Sequence, residues 1–370
     1  MYGLSKRIPL LASTFAVGLG LAGGIANAAT LDYGAVGTPV TLSVGHPCCY
    51  AAIWSVYVLR EKELWKKYLP KDSEVSFEVA LAGPPILNGM FAGKQQIGYL
   101  GDMPAVIATT KKEVADIRLV ATTAISFDQC NILLVRPDAP AFAKPEDAVR
   151  WLDNKQVGVP RGTCGDRFAQ DIFKRENIKP ASYLNQTIEV ITSGFRAGKL
   201  DGAVVWEPVA SQIINQKLAR RAASGATYNI SDAAFLTMRG DLVDARPDVA
   251  QAWMEAELDA ELFIADPGNA DEVVSIVHKY VPGFDPADLR SAIYGRYPAA
   301  EGGADVRMVQ PFTFTPEVRA LLAEDATFLY SIKGTETPTV RESAVVATFA
   351  DRAMEKRGLK SPIGRVVAKQ

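Results

Sequence analysis

The stretch "GVPRGTCGDRFAQDIFKRENI", Gly158 to Ile178, decides the fold. A short apolar run, Gln156 to Val159, meets a glycine-punctuated loop, Arg161-Gly162-Thr163-Cys164-Gly165. Beyond it Phe168, Ile172 and Phe173 share one helical face, which predicts an amphipathic helix. Strand, tight turn and helix start together present bare backbone N–H groups, and α/β proteins use that arrangement to hold ligands. The loop is no phosphate-binding P-loop, because no Gly-Lys-Ser/Thr follows, and it lacks the dinucleotide fingerprint.

Working outward, the same grammar repeats. Upstream, "VTLSVG" reads as strand and Ala51 to Tyr68 as helix. "VSFEVAL", "QIGYL", "IRLVATTAI" and "CNILLVRP" read as further strands, with helices at Pro85–Phe91 and Met103–Thr110. A second cycle runs from the helix Pro145–Leu152 through "QVGVP", "ASYLN", "LDGAVVW" and "ARRAAS". Helices at Asp166–Glu176, Thr187–Ala197 and Pro208–Gln216 separate those strands. Alternation of this kind predicts an α/β chain with parallel sheets covered by helices. "AFLTMRGDLV" then looks like one strand returning to the first unit, and mostly helical sequence follows. The expected organisation is residues 40–135 plus 229–300 as a discontinuous first lobe and 136–228 as the second. Residues 301–370 would form a helical extension packed on the first lobe. Two crossings, near Val135–Pro137 and Thr227–Ile230, make a hinge, and a hinge between lobes makes a cleft.

The first residues predict export. Lys6 and Arg7 precede the apolar "IPLLASTFAVGLGLA", and "ANA" (Ala26 to Ala28) offers small residues before a cleavage point after Ala28. This pattern reads as a signal peptide over residues 1–28, its apolar core too short for a membrane span. The expected mature protein is soluble and periplasmic. The formal net charge of the chain is only −2, so nothing points to nucleic acid or an anionic membrane as partner. At 48% hydrophobic residues the chain can bury a full core.

Three segments carry a resemblance: "LSVGHPCCYAAIW", "ALAGPPILNGMFAGKQQIGYLGDMPAVIA" and "VITSGFRAGKLDGAVVWEPVAS". Within them, Ile97 to Pro104 and Phe195 to Pro208 are the most specific runs. The chain resembles the nitrate/sulfonate/taurine-type periplasmic binding proteins of ABC importers over about Val40 to Pro267, and the likeness fades toward the C-terminus. The resemblance implies the type II periplasmic binding protein fold, two lobes with parallel-core sheets and a two-crossover hinge. It further implies a monomeric, cofactor-free captor that delivers a small molecule to permease subunits in the inner membrane and performs no chemistry.

Candidate ligand residues lie in the strand-end loops. Gly101 permits close backbone approach, and Asp102 either caps a helix or meets the ligand. Gly162, Thr163 and Arg161 suit an acidic group. Trp206 offers an aromatic wall, and Glu207 a carboxylate for an amine. Ser126, Asp128 and His46 are placed only by their loops. These groups disagree about ligand charge; a zwitterion such as an amino-sulfonate satisfies both sets, and so does an amine-bearing or heterocyclic nutrient.

All four cysteines, Cys48, Cys49, Cys130 and Cys164, fall in or beside these loops. Two disulfides are one reading. A soft-metal site of thiolates with His46 is another, although no C-x-x-C spacing accompanies it. A bridge from Cys164 to the first lobe would clamp a captor that must open. His278 falls in a helical run and reads as structural. Two rival functions remain open on sequence: a module presenting its ligand to a sensor, and an enzyme like the thiamine-pyrimidine synthases of this fold. The enzyme reading suffers from the scarcity of histidine, of which there are two.

Overall fold

The computed structural model of the protein describes residues 31–369. The expected signal peptide, residues 1–28, lies outside the described residues. Among these described residues, twelve strands form two sheets. In chain order they are β1 (Thr41–Pro47), β2 (Glu74–Ala80), β3 (Ile97–Gly101), β4 (Ile117–Ser126), β5 (Ile132–Val135) and β6 (Gln156–Val159). Then come β7 (Ser182–Asn185), β8 (Gly202–Val205), β9 (Arg220–Ser224), β10 (Asp232–Arg239), β11 (Val306–Gln310) and β12 (Gly364–Val367). The first sheet runs β12-β11-β4-β10-β3-β1-β2 and the second β7-β6-β8-β5-β9.

Burial explains which strands sit in the middle. Every residue of β10, β5 and β8 is buried; β5 and β8 are the continuous apolar runs expected of strands covered on both faces, while β10 also buries Asp232, Thr237 and Arg239. β1 pairs in parallel with β2 and β3, while the returning β10 is antiparallel to β3 and β4. In the second sheet β6 is parallel to β7 and β8, and β5 is antiparallel to β8 and β9. One apolar cluster, including Trp54, Trp253, Ile132 and Val205, joins faces of both sheets. Separate clusters cover the other face of each. No helix among the described residues is long and apolar enough to cross a membrane.

Three expectations change. The first crossing comes at Phe127–Asn131, before "ILLV", because β5 pairs with β8 and β9 and so belongs to the second sheet. An all-apolar run says that a strand is buried but not in which sheet. The redirection is made by Ser126, whose Oγ accepts from the Asp128 and Gln129 N–H groups at 2.9 Å each. The helix expected over Ala51–Tyr68 is broken into a 3₁₀ turn, the helix Ser55–Glu61 and a second 3₁₀ turn.

The third change concerns residues 301–370, which are not only helical and do not pack only on the first lobe. β11 and β12 extend the first sheet. The loop before β11 reaches the second: the Gly302 carbonyl accepts from Arg221 Nη2 at 3.0 Å and from the Ser224 hydroxyl. The glycine and Thr-Pro punctuation of this region hid two short strands.

Gly302 has φ +73°, and a Cβ there would lie 2.3 Å from the Ser224 nitrogen and 2.7 Å from the Ala223 carbonyl carbon. Both obstacles are backbone. Gly302→Ala is therefore expected to destabilise the protein by about 1–3 kcal/mol, read as a lower Tm in thermal denaturation; an unchanged Tm would mean that this loop is not held against β9.

Candidate functional site

A cleft of about 300 Å³ opens between the two sheets. Much of its lining comes from the carboxyl ends of β2, β3, β6 and β7, where each strand leads within at most four residues into a helix. Those helices are Gly83–Phe91, Asp102–Thr110, Cys164–Arg175 and Ile188–Arg196. The first-turn residues Gly83 and Pro84, Asp102 and Pro104, Cys164, and Ile188 and Glu189 all line the cleft. Four helix N-termini therefore converge on one space. Each brings a partial positive charge of roughly half a unit, although Pro84, Pro85 and Pro104 carry no N–H and the Met103 N–H is held by Asp102, so two of the four offer few free donors.

The cleft lining holds no buried cationic side chain; Arg167, buried on the helix Cys164–Arg175, lies outside it. Arg161 lines the rim and is exposed, its guanidinium stacked 5.2 Å from the Tyr183 ring centroid. The walls are largely apolar: Pro47, Tyr50, Leu81, Ile188 and Trp206. Cys130 and Cys164 line the cleft as a disulfide, their Cα atoms 6.0 Å apart. This bridge ties the start of the helix Cys164–Arg175 to the first crossing segment.

The local hydrogen bonds decide what each group can still offer. The Thr163 hydroxyl donates to the Pro160 carbonyl at 2.6 Å and accepts from the Asp166 N–H at 3.3 Å. It is spent on capping, and Gly162 N–H is spent on Asp166 Oδ2 at 2.8 Å. The donors left at this loop are the backbone N–H groups of Cys164 and Gly165, since those of Asp166 and Arg167 go to Thr163. Asp102 is fully buried; its Oδ1 accepts from Met103 N–H at 2.7 Å, and its Oδ2 has no partner. Burial raises its carboxyl above the usual range, against the opposing pull of Arg167.

Of the residues singled out from sequence, Gly101, Asp102, Arg161, Gly162, Thr163, Cys164 and Trp206 lie around the cleft. His46, Cys48, Ser126, Asp128 and Glu207 do not. His46 is buried edge-on to Tyr57, ring centroids 5.0 Å apart, and burial lowers its pKa to about 4, so it is a neutral core imidazole. Cys48 is joined to Cys49, its carbonyl accepting from the Tyr57 hydroxyl at 2.7 Å. With all four cysteines in disulfides, the soft-metal reading loses its thiolates. Ser126 shapes the first crossing, as above. His278 Nδ1 lies 2.9 Å from the Phe284 carbonyl.

Asp128 and Glu207 belong to a buried charge network at the first crossing. Arg307 of β11 pairs with Asp128 and, at 3.4 Å, with Glu207 Oε1. Arg221 of β9 reaches the same Asp128 oxygen at 3.0 Å. Both guanidinium groups lie against the Tyr297 ring, at 4.4 and 5.1 Å from its centroid. Glu207 Oε2 accepts from the Ser211 N–H at 3.0 Å. Burial raises the Glu207 carboxyl while Arg307 and Arg221 pull it down.

Sequence reading missed Asn185, Gln186, Thr187, Ile188 and Glu189, which close the second-lobe wall. The signal was present: "ASYLN" running into a helix repeats the strand, loop and helix start of the opening stretch. It also missed Tyr50, Leu81 and Pro84. An isolated aromatic or apolar residue beside a loop carries no mark of facing a cleft.

With this geometry established, the relatives become informative. Residues 179–278 match the NMT1-like family. The chain is 24% identical over 190 residues to the taurine-binding periplasmic protein of Escherichia coli, half of this chain and 56% of that protein. It superposes on the alkanesulfonate-binding protein SsuA of Xanthomonas axonopodis bound to MOPS with a TM-score of 0.66 and 18% identity, covering 84% of this chain and 99% of that one. The fold is that of a periplasmic binding protein. The expected fold and the expected resemblance both hold. The desulfurization enzyme DSZB shares the architecture too, with a TM-score of 0.62, 15% identity and coverage of 86% and 99%. The fold alone thus accommodates captors and catalysts.

Removing Arg307 from this binding-protein hinge leaves Glu207 without a cation and Asp128 with Arg221 alone. Arg307→Met is expected to cost about 3–5 kcal/mol, measured by urea denaturation, and adding Glu207→Gln should recover part of that loss. Equal stability of Arg307→Met and the parent would show the network to be solvated.

Proposed function

We propose that this protein is an exported solute-binding protein that captures a small sulfonate-type anion and releases it unaltered to a membrane permease of an ABC importer. The observation that carries this reading is the convergence of four helix N-termini on one cleft without a buried basic side chain. Such a site holds an anion by aligned backbone dipoles and N–H donors. Relatives named for taurine and alkanesulfonate binding support the same ligand class.

Magnitudes favour an anion with an apolar tail over a bare one. Each helix terminus contributes about 0.3–1 kcal/mol, or up to ~2 in partly buried geometry. Four of them supply a few kcal/mol, roughly millimolar binding. Burying about 100 Å² of apolar tail against Trp206, Leu81 and Ile188 adds roughly 2.5 kcal/mol. The polar groups expected to recognise an ammonium are poorly suited to it. Glu207 and Asp128 are engaged at the hinge, and Asp102 sits where burial opposes its ionisation.

Binding without catalysis fits the chemistry of the walls. The two cleft cysteines are oxidised to a disulfide, so neither offers a thiolate nucleophile, and His46 lies in the core away from the cleft.

Isothermal titration with hexanesulfonate, taurine, nitrate and hexylamine tests the reading. Hexanesulfonate is expected to bind at least tenfold more tightly than taurine or nitrate, a difference of about 1.4 kcal/mol. Trp206→Ala should weaken hexanesulfonate several-fold and leave nitrate nearly unchanged. Binding of the amine with none of the anions would overturn the assignment.

A further inference from the structure

The two walls of the cleft differ in what they can donate. On the first lobe Pro47, Pro84 and Pro104 have no N–H, the Met103 N–H is held by Asp102, and the Tyr50 hydroxyl goes to Asp232 at 2.9 Å. The side chain that this wall exposes most is apolar, Leu81 at 64%.

The second lobe is built the other way. Its helix Cys164–Arg175 leaves the N–H groups of Cys164 and Gly165 free. Its helix Ile188–Arg196 leaves those of Ile188 and Glu189, since the Val190 and Ile191 N–H groups go to Thr187. Side chains add to these donors. Asn185 ends β7 and is exposed on the cleft. Its Oδ1 accepts from the Arg161 N–H at 3.1 Å, so what remains to offer is the Nδ2 amine, which has no partner among the described residues. The same bond holds the backbone of Arg161, whose guanidinium rests over the Tyr183 ring. Tyr183 is fixed in turn by donating its hydroxyl to the buried Asp166, which also takes Gln170 Nε2 at 2.9 Å and the Gly162 N–H at 2.8 Å. Asp166 is thus a positioning residue for both the loop and the platform under Arg161.

Charge sets the valence. Arg161 and Glu189 are the exposed charged side chains of the lining, one of each sign, and both stand on this wall. They cancel, which leaves the two helix N-termini with about one positive unit between them. That balance suits a single negative charge.

We propose that the second lobe reads the head group, with Asn185 as a specificity-determining donor beside Arg161, and that the first lobe closes over the tail as an apolar lid. This rests on the anion-binding reading above and divides its site in two. A singly charged sulfonate is seated, whereas the second charge of a sulfate meets Glu189 and is turned away.

Calorimetric titration with methanesulfonate and hexanesulfonate separates head from tail, since these ligands differ only in apolar length. Asn185→Asp keeps an oxygen for the Arg161 N–H but replaces the donor with a charge. It is expected to weaken both sulfonates at least tenfold and by the same factor, without lowering Tm. The neutral Asn185→Ala should weaken both several-fold, again equally. Leu81→Ala, on the opposite wall, should instead shrink the ratio between the two affinities. Glu189→Gln is expected to bind sulfate more tightly than the parent does. Undiminished affinity in both Asn185 variants overturns the proposal, and so does a loss confined to hexanesulfonate. Sulfate binding to the parent as tightly as methanesulfonate would remove Glu189 from its assigned role and overturn the valence argument. Failure of every sulfonate to bind the parent overturns the anion-binding reading itself, which separates that failure from the others.

Discussion

A helix begins with N–H groups that its own turns cannot satisfy, and this protein gathers four such beginnings around one space. The consequence runs through the whole structure. Strands β2, β3, β6 and β7 must point the same way relative to the cleft, so both sheets need a parallel core. Parallel strands need helical crossovers, and these clothe the sheets on both faces. The apolar character of β5 and β8 follows from that double covering. A site made of backbone dipoles also explains why little in its composition looks like a binding site: positive potential is present without lysine or buried arginine in the walls.

Charge is instead concentrated where the chain passes between the sheets. Arg307, Arg221, Asp128 and Glu207 neutralise one another at the first crossing, and Arg167 with Asp325 and the Ser231 carbonyl ties the second. Ion pairs this deep repay their desolvation only with good geometry and further hydrogen bonds. The carbonyls of Gly302 and Ala292 and the Ser211 N–H supply those. The outcome is less a gain in stability than a fixed geometry for the segments about which two lobes can turn. Arg307 comes from the late β11, so the C-terminal region is part of the hinge.

How much of this was legible in the sequence depends on which residues carry it. Repeated strand–loop–helix units announce themselves through period and punctuation, and Gly101-Asp102, Gly162-Thr163-Cys164 and Trp206 fall where that grammar places them. Glu207 and Asp128 were misread because a carboxylate at a strand end looks the same whether it faces solvent, ligand or an arginine one hundred or more residues away. Their partner Arg307 sits in a stretch whose short strands were masked by glycine and proline. Thr163 carries a subtler lesson: its hydroxyl both donates and accepts within its own loop. Being near a ligand pocket did not leave it free to bind.

The cysteines connect these themes. Cys130 lies in the first crossing and Cys164 opens one of the four helices, so their bridge fixes a helix N-terminus to the hinge without tying β1–β4 to it. The fear that a disulfide would lock the lobes together does not apply, since Cys130 immediately precedes β5 of the same sheet as β6 and β8. Cys130 also gives its N–H to Asp232, and Asp232 in turn takes the hydroxyl of Tyr50, a residue of the cleft wall. Disulfide, hinge and buried acids thus form one continuous piece of structure beneath the ligand space. A change in the charge of any acid there acts on a helix terminus that faces the cleft, because these buried groups are weakly screened.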